Sequence, residues 1–171
     1  MAKYSIFVTL GTSHFAFPRM LQSVGQITGI SQASGEYDLT VQYGSTDMIA
    51  LSGVVEQADF FSRERTEELY RTSDVVMSHC GIGSIFNSLK YNRPTILFTR
   101  LEAYGEFTDD HQLQIANELQ VNPLLFIHRA EQIPQDARLQ AFIAGATGFE
   151  KRPRDLINYE MARYLKGVLY G

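Results

Sequence analysis

The sequence predicts an α/β protein: a parallel sheet with helices on both of its faces. Three observations carry that reading. Short apolar or β-branched runs alternate with stretches whose apolar residues recur at helical spacing. The first run, Tyr4 to Leu10, is almost continuously apolar and β-branched, as a strand covered on both faces requires. The fourth run ends in Ser78-His79-Cys80-Gly81-Ile82-Gly83-Ser84, a tight turn that opens a new helix.

Strand one is closed by Gly11-Thr12-Ser13, and Pro18 then occupies a first helical position. Met20, Leu21, Val24 and Ile27 follow at helical spacing, and Gly29 to Glu36 is a polar turn region. Asp38 to Tyr43 is a second strand, ended by Gly44. Ser45 or Thr46 is placed to cap a short helix through Met48, Ile49 and Leu51. Val54 to Phe61 reads as strand three, and Thr66-Glu67-Glu68 starts the next helix with Leu69 and Tyr70 on its inner side.

After strand four and its glycine turn, Ile82, Ile85, Phe86 and Leu89 mark the inner face of a helix. Pro94 to Thr99 is strand five, and Arg100 to Thr108 has no hydrophobic period and reads as a loop. Asp109 and Asp110 favour the first turn of a helix carrying His111, Gln112 and Gln114, with Ile115 and Leu119 inward. Leu124 to Ile127 is strand six. A short helix spans Arg138 to Ile143, Gly145 to Gly148 is a linker, and a final helix runs from about residue 154 to 169. With strands ordered 3-2-1-4-5-6 the sheet is Rossmann-like. Its topological switch point then lies between strands one and four, where Gly11-Thr12-Ser13-His14 and His79 to Ser84 converge.

Composition bounds the function. The 171 residues make one domain, 1–171, and 44% hydrophobic with 20% charged residues are values of a soluble globular protein. A net charge of −4 argues against a nucleic-acid partner. One cysteine excludes an internal disulfide, and four dispersed histidines make a metal site improbable. Met1-Ala2-Lys3 leads straight into strand one, so no secretory leader is expected, and no run of about 18 apolar residues marks a membrane span.

The two glycine-rich turns suit a nucleotide diphosphate: free N–H groups at a helix start, with the positive end of its dipole, attract phosphate. Gly81 and Gly83 let a ligand approach the backbone. An ordinary strand-to-helix turn is the plainer alternative. The chain lacks G-x-G-x-x-G after strand one, a Walker lysine and a Gly-x-Ser-x-Gly elbow. A dinucleotide oxidoreductase, a P-loop kinase or ATPase and a serine hydrolase are therefore disfavoured.

Strand one with Gly11-Thr12, the segment Ser73 to Ser84, and Asp109-Asp110-His111-Gln112-Leu113-Gln114-Ile115-Ala116 together resemble the glycosyltransferase family 28 C-terminal domain, the donor-binding half of a GT-B enzyme. The match covers roughly residues 4 to 120. It is nearest to the small free-standing members, the catalytic subunit of the split GlcNAc transferase of dolichol-linked oligosaccharide synthesis and its bacterial exopolysaccharide relatives. Val8 to Thr12 with Phe15, Phe17, Arg19 and Leu21 leans toward the bacterial group.

The resemblance implies roles. Gly11, Thr12 and Ser13 cradle the donor phosphates, and His79, Gly81, Gly83 and Ser84 hold the diphosphate at the helix start. Asn87 stands where relatives often carry Glu or Asp for the ribose hydroxyls; an amide accepts there through one oxygen only. His111 and Gln112 contact the donor hexose, with Glu106 as a further candidate, and uracil lies near Phe61 to Arg63. His14 and Asp110 are the candidates for the base that takes the acceptor's proton. The implied donor is a UDP-sugar, with no metal and no cofactor.

Plainer readings stand beside these. His79 is a helix-start residue bonded to a backbone carbonyl, His14 a turn residue, His128 structural and Cys80 a small filler. Lys151-Arg152-Pro153-Arg154 is a solvated helix approach or a contact to anionic lipid or a partner. One donor-binding domain leaves the acceptor half to another chain. The expectation is therefore a separate membrane-anchored subunit that binds a lipid-linked saccharide acceptor. It would hold this chain at the inner face of the plasma membrane, docked on the 154–169 helix through a stripe that includes Met161 and Tyr164; the plainer alternative is that this stripe packs on its own domain.

Overall fold

A computed structural model describes residues 4–31, 37–120, 122–129 and 137–146. The expected helix over 154–169, the basic 151–154 segment and most of the expected 145–148 linker lie outside the described residues. Strands β1 (Tyr4–Thr9), β2 (Tyr37–Gln42), β3 (Val54–Ala58), β4 (Val75–His79), β5 (Thr95–Phe98) and β6 (Leu125–His128) form one sheet in the order β3-β2-β1-β4-β5-β6. Every neighbouring pair is parallel. The α/β class is as the sequence predicts, and the strand order is the one that puts the switch point between β1 and β4.

Helices α1 (Pro18–Ser31), α2 (Arg63–Thr72), α3 (Ile82–Lys90) and α4 (His111–Leu119) lie between strands, and α5 (Ala137–Gly145) follows β6. Alternate residues of β1 serve opposite faces. Ile6 and Val8 join Met20, Leu21, Val24 and Ile27 of α1 and Leu139 and Ile143 of α5 in one core. Phe7 points the other way, onto Leu69 and Tyr70 of α2 and Val76. A third cluster packs Ile85 and Leu89 of α3 against Leu97 and against Ile115 and Leu119 of α4. Each such fully buried side chain contributes about 1.5–3 kcal/mol relative to exposure, which fixes the sheet between its two helical layers.

Two local expectations fail for identifiable reasons. No helix forms over 45–52. The Thr46 hydroxyl, expected to cap that helix, instead accepts from the Phe17 amide at 2.9 Å, just ahead of α1. Met48, Ile49 and Leu51 still reach the first core cluster, but from a non-helical chain. Helix α2 begins at Arg63 rather than Thr66, because the Ser62 side chain accepts from the Arg65 amide at 3.1 Å. That cap shortens β3 to Ala58 and leaves Phe60 48% exposed beyond the strand end. Glu102–Tyr104 forms a single 3-10 turn within the expected loop, closed by Gly105 at φ 65°. Among the described residues no helix is long and apolar enough to cross a membrane.

Candidate functional site

Strands β1 and β4 lie side by side with Thr9 opposite Ser78, so the turns that follow them emerge together. The imidazole of His79 fills the space between those turns. A Cβ added at Gly11 or at Gly81 would overlap its ring atoms. Gly11 also has φ +80°, a conformation that strains any other residue. At Gly11 and Gly81 the missing side chain makes room for the His79 ring. Gly83 differs, because nothing lies within 4 Å of a Cβ built there. Its backbone, in the first turn of α3, is the one open to a visitor.

Beneath this wedge lies a set of hydroxyls. Ser78 Oγ and Ser84 Oγ each stand 3.5 Å from His79 Nδ1, and Ser78 Oγ donates to the His79 carbonyl at 3.0 Å. The Tyr70 hydroxyl reaches both serines, and burial raises its pKa to about 12, so it remains a phenol. Desolvation, reinforced by the nearby Arg100 charge and opposed by a backbone hydrogen bond to Thr9, lowers the His79 pKa to about 4. His79 is therefore a neutral imidazole at physiological pH. Cys80 is buried, and burial pushes its thiol up to about 12, consistent with a filler and not with a nucleophile.

Helix α3 has Gly81 as its N-cap and no side-chain cap hydrogen bond, so no capping side chain satisfies its first-turn N–H groups. Asn87 is half-buried further along the same helix. On the other turn Thr12 is exposed, and Ser13 Oγ accepts from the Phe15 amide at 3.2 Å. His14 is exposed and its ring packs on Phe15 at 4.3 Å between centroids; Phe15 in turn meets Phe107 at 5.7 Å. These ring contacts tie the turn after β1 to the loop after β5.

In that second loop and at the start of α4, two of the candidate residues are held by neighbours within the chain. Glu106 is 2% exposed and held by Arg19, Nε to Oε1 at 2.9 Å and Nη2 to Oε2 at 2.6 Å. Its Oε2 also accepts from the Leu101 amide at 3.0 Å. Both oxygens are thus committed to shaping the loop rather than to a sugar hydroxyl. Gln112 is likewise buried, and its Oε1 accepts from the Arg100 amide at 3.1 Å, leaving only the amide nitrogen for a ligand. His111 is half-buried at the start of α4, where Asp109 Oδ1 accepts from its backbone amide at 2.9 Å. Asp110 Oδ1 accepts from the Glu102 amide at 2.9 Å.

Sequence reasoning missed Gln42 and Arg100 altogether and noted Arg19 only for the resemblance. Gln42 Oε1 accepts from the Phe61 amide at 3.1 Å, and its Nε2 lies 3.3 Å from Thr9 Oγ1 and 3.5 Å from the Gly11 carbonyl. It joins the segment expected near uracil to the phosphate turn. The available signal was positional: Gln42 and Arg100 are polar residues at or just past the carboxyl ends of apolar strands, where such a sheet builds its site. Among the described residues no group of three or more His, Cys, Asp or Glu is arranged to hold a metal ion.

Comparison with known proteins agrees with this architecture. The family model described as Glycosyltransferase family 28 C-terminal domain matches residues 5–135. The solution structure of ALG13 is similar at 21% identity and a TM-score of 0.60, over 99% of this chain and 98% of that one. The glycotransferase of kitacinnamycin aligns at 15% identity and a TM-score of 0.52, over 86% of this chain but 38% of that one. The glycosyltransferase SnogD from Streptomyces nogalater aligns at 19% identity and 0.51, over 99% and 44%. At such identities the likeness is one of fold, and this chain spans less than half of the two larger enzymes. No curated protein matches by sequence.

Proposed function

The chain belongs to the glycosyltransferase family 28 C-terminal domain family, and from that premise we propose that it binds a UDP-sugar and supplies it to an inverting hexosyl transfer. The observation that supports this most is the meeting of two turns at the β1/β4 switch point. An uncapped helix start there faces a neutral histidine wedged between Gly11 and Gly81. The diphosphate rests on the amides of Thr12, Ser13, Gly83 and Ser84. The base lies toward Phe61 to Arg63 and the ribose toward Asn87, with His111 and the free amide of Gln112 facing the hexose.

In the transfer the acceptor hydroxyl oxygen forms a bond to the anomeric carbon from the face opposite the diphosphate. The bond from that carbon to the phosphate oxygen breaks, UDP leaves with the electron pair, and a base takes the hydroxyl proton. His14 and Asp110 are the candidates for that base in this chain. The acceptor is a polyprenyl-diphosphate-linked saccharide of exopolysaccharide or capsule assembly, presented by a membrane-anchored partner subunit. Through that partner this chain sits at the inner face of the plasma membrane.

A second reading, a non-catalytic nucleotide-sugar-binding regulator of such an enzyme, is favoured by one observation. Among the described residues His14 is held by ring packing on Phe15 rather than oriented by a carboxylate. A thermal-shift panel of UDP, ADP and UDP-sugars tests the donor class: UDP and at least one UDP-sugar should raise Tm while ADP does not. Equal response to UDP and ADP overturns the reading. Donor turnover with acceptor and partner present then separates enzyme from regulator.

A further inference from the structure

The loops that border the β1/β4 crevice are short of cations. Gly11 to Phe17, His79 to Ser84 and Leu101 to Gln112 contain no lysine or arginine, and the last carries Glu102, Glu106, Asp109 and Asp110. A nucleoside diphosphate brings several negative charges to that place. Beneath the loops lies Arg100, 1% exposed. Its Nη2 donates to the Leu10 carbonyl at 2.9 Å, and its Nη1 to the carbonyls of Phe15 at 2.8 Å and Glu106 at 3.0 Å. Its Cζ sits 4.7 Å from the Phe17 ring centroid, and its Nε has no hydrogen-bond partner.

All three acceptors are neutral. The adjacent Glu106 carboxylate is gripped through both oxygens by Arg19, not by Arg100. The Arg100 guanidinium is therefore bonded only to neutral carbonyls, in a buried and poorly screened place. Burial lowers the Arg100 pKa to about 10, partly opposed by Glu106, and the group remains a cation at neutral pH. The peptide bonds are trans, so carbonyls of Phe15 and Glu106 that turn toward the guanidinium turn the N–H groups of Ala16 and Phe107 away from it.

We propose that Arg100 is the fixed counter-charge for the donor's diphosphate: a positioning residue that ties the turn after β1 to the loop after β5 and biases their crevice toward anions. This rests on the nucleotide-sugar reading above. It is tested by calorimetric titration of the full chain with UDP and with uridine, at low and at physiological salt. Wild type is compared with Arg100→Met, Arg100→Lys and Glu106→Gln.

Arg100→Met should weaken UDP binding roughly tenfold at low salt and flatten its salt dependence, with uridine affinity unchanged. Arg100→Lys keeps the charge and should keep the wild-type salt slope. Glu106→Gln adds a net positive charge and should tighten UDP at low salt, an effect opposite in sign to simple loosening of the loop. Should Arg100→Met fail to fold, the other two variants decide. Equal losses for UDP and uridine in Arg100→Met, an unchanged UDP affinity, or a Glu106→Gln variant that binds UDP more weakly with the salt slope unaltered would each overturn the proposal. A wild-type chain that binds no UDP sinks the donor reading itself. UDP binding that is indifferent to Arg100 sinks only this inference.

Discussion

Two arginines, each 1% exposed, sit at opposite ends of the same sheet. At the amino end Arg93 donates from Nε to the Tyr91 carbonyl at 2.8 Å and from Nη1 to the Ser73 carbonyl at 3.2 Å. Both acceptors are C-cap residues, Tyr91 of α3 and Ser73 of α2. Arg93 thus satisfies helix-end carbonyls and the negative ends of two dipoles, and Asp74 supports its charge. At the carboxyl end Arg100 bonds the carbonyls of Leu10, Phe15 and Glu106, which belong to loops and not to helix ends. Burial and residue type are the same; what each guanidinium touches makes one a closure and the other part of a site.

Breaking the wedge at the site end should have the largest effect. Gly11→Val combines a strained φ with overlap of the His79 ring, and should cost about 3 kcal/mol or more in chemical denaturation and abolish UDP binding. Removing the closure at the other end should cost nearly as much without touching ligand. Arg93→Met leaves two buried carbonyls without their donor, an expected loss of about 2–3 kcal/mol, with UDP affinity within about twofold of wild type. A large UDP defect in Arg93→Met would erase the distinction between the two ends.

The pH dependence sharpens it further. An unfolded chain protonates His79 near the ordinary value of 6.5, the folded chain only at about 4. Between those values the unfolded state binds the extra proton, so this contribution to stability is complete above pH 6.5 and is lost as pH falls toward 4. Tm measured across that window should fall with acid, and less steeply in His79→Asn. The smallest effect belongs to Gly83→Ala. The added methyl meets open space in a helix, so unliganded stability should rise by about 0.5–1 kcal/mol, while UDP binding weakens because the methyl stands where the phosphate approaches. A variant both more stable and equally tight would move the phosphate away from that turn.

The fold was largely legible because its signals are local and repeated. Tyr4 to Leu10 could be a buried strand and little else, Pro18 announced α1, and the alternation of runs implied a parallel sheet covered on both faces. What escaped depended on side chains meeting across the sheet's end. Thr46 looked like a helix cap until Phe17, 29 positions earlier, claimed its hydroxyl. Glu106 read as a free carboxylate because Arg19, 87 positions away, cannot be seen beside it in the sequence. Arg100 looked like the first residue of a polar loop, although it is the point where that loop, the turn after β1 and the start of α4 meet. The glycine motif was recognised correctly as a turn, but the ring of His79 that requires two of its neighbouring glycines is a contact between loops, invisible to spacing.

The most direct test of the account is an amide-resolved NMR titration of the full chain with UDP-glucose. Shifts should concentrate at Gly11 to Ser13 and at Gly81 to Ser84, with a further set at His111 and Gln112 that UDP alone does not produce. Saturating ligand that leaves those amides unmoved while shifting residues elsewhere on the sheet would contradict it.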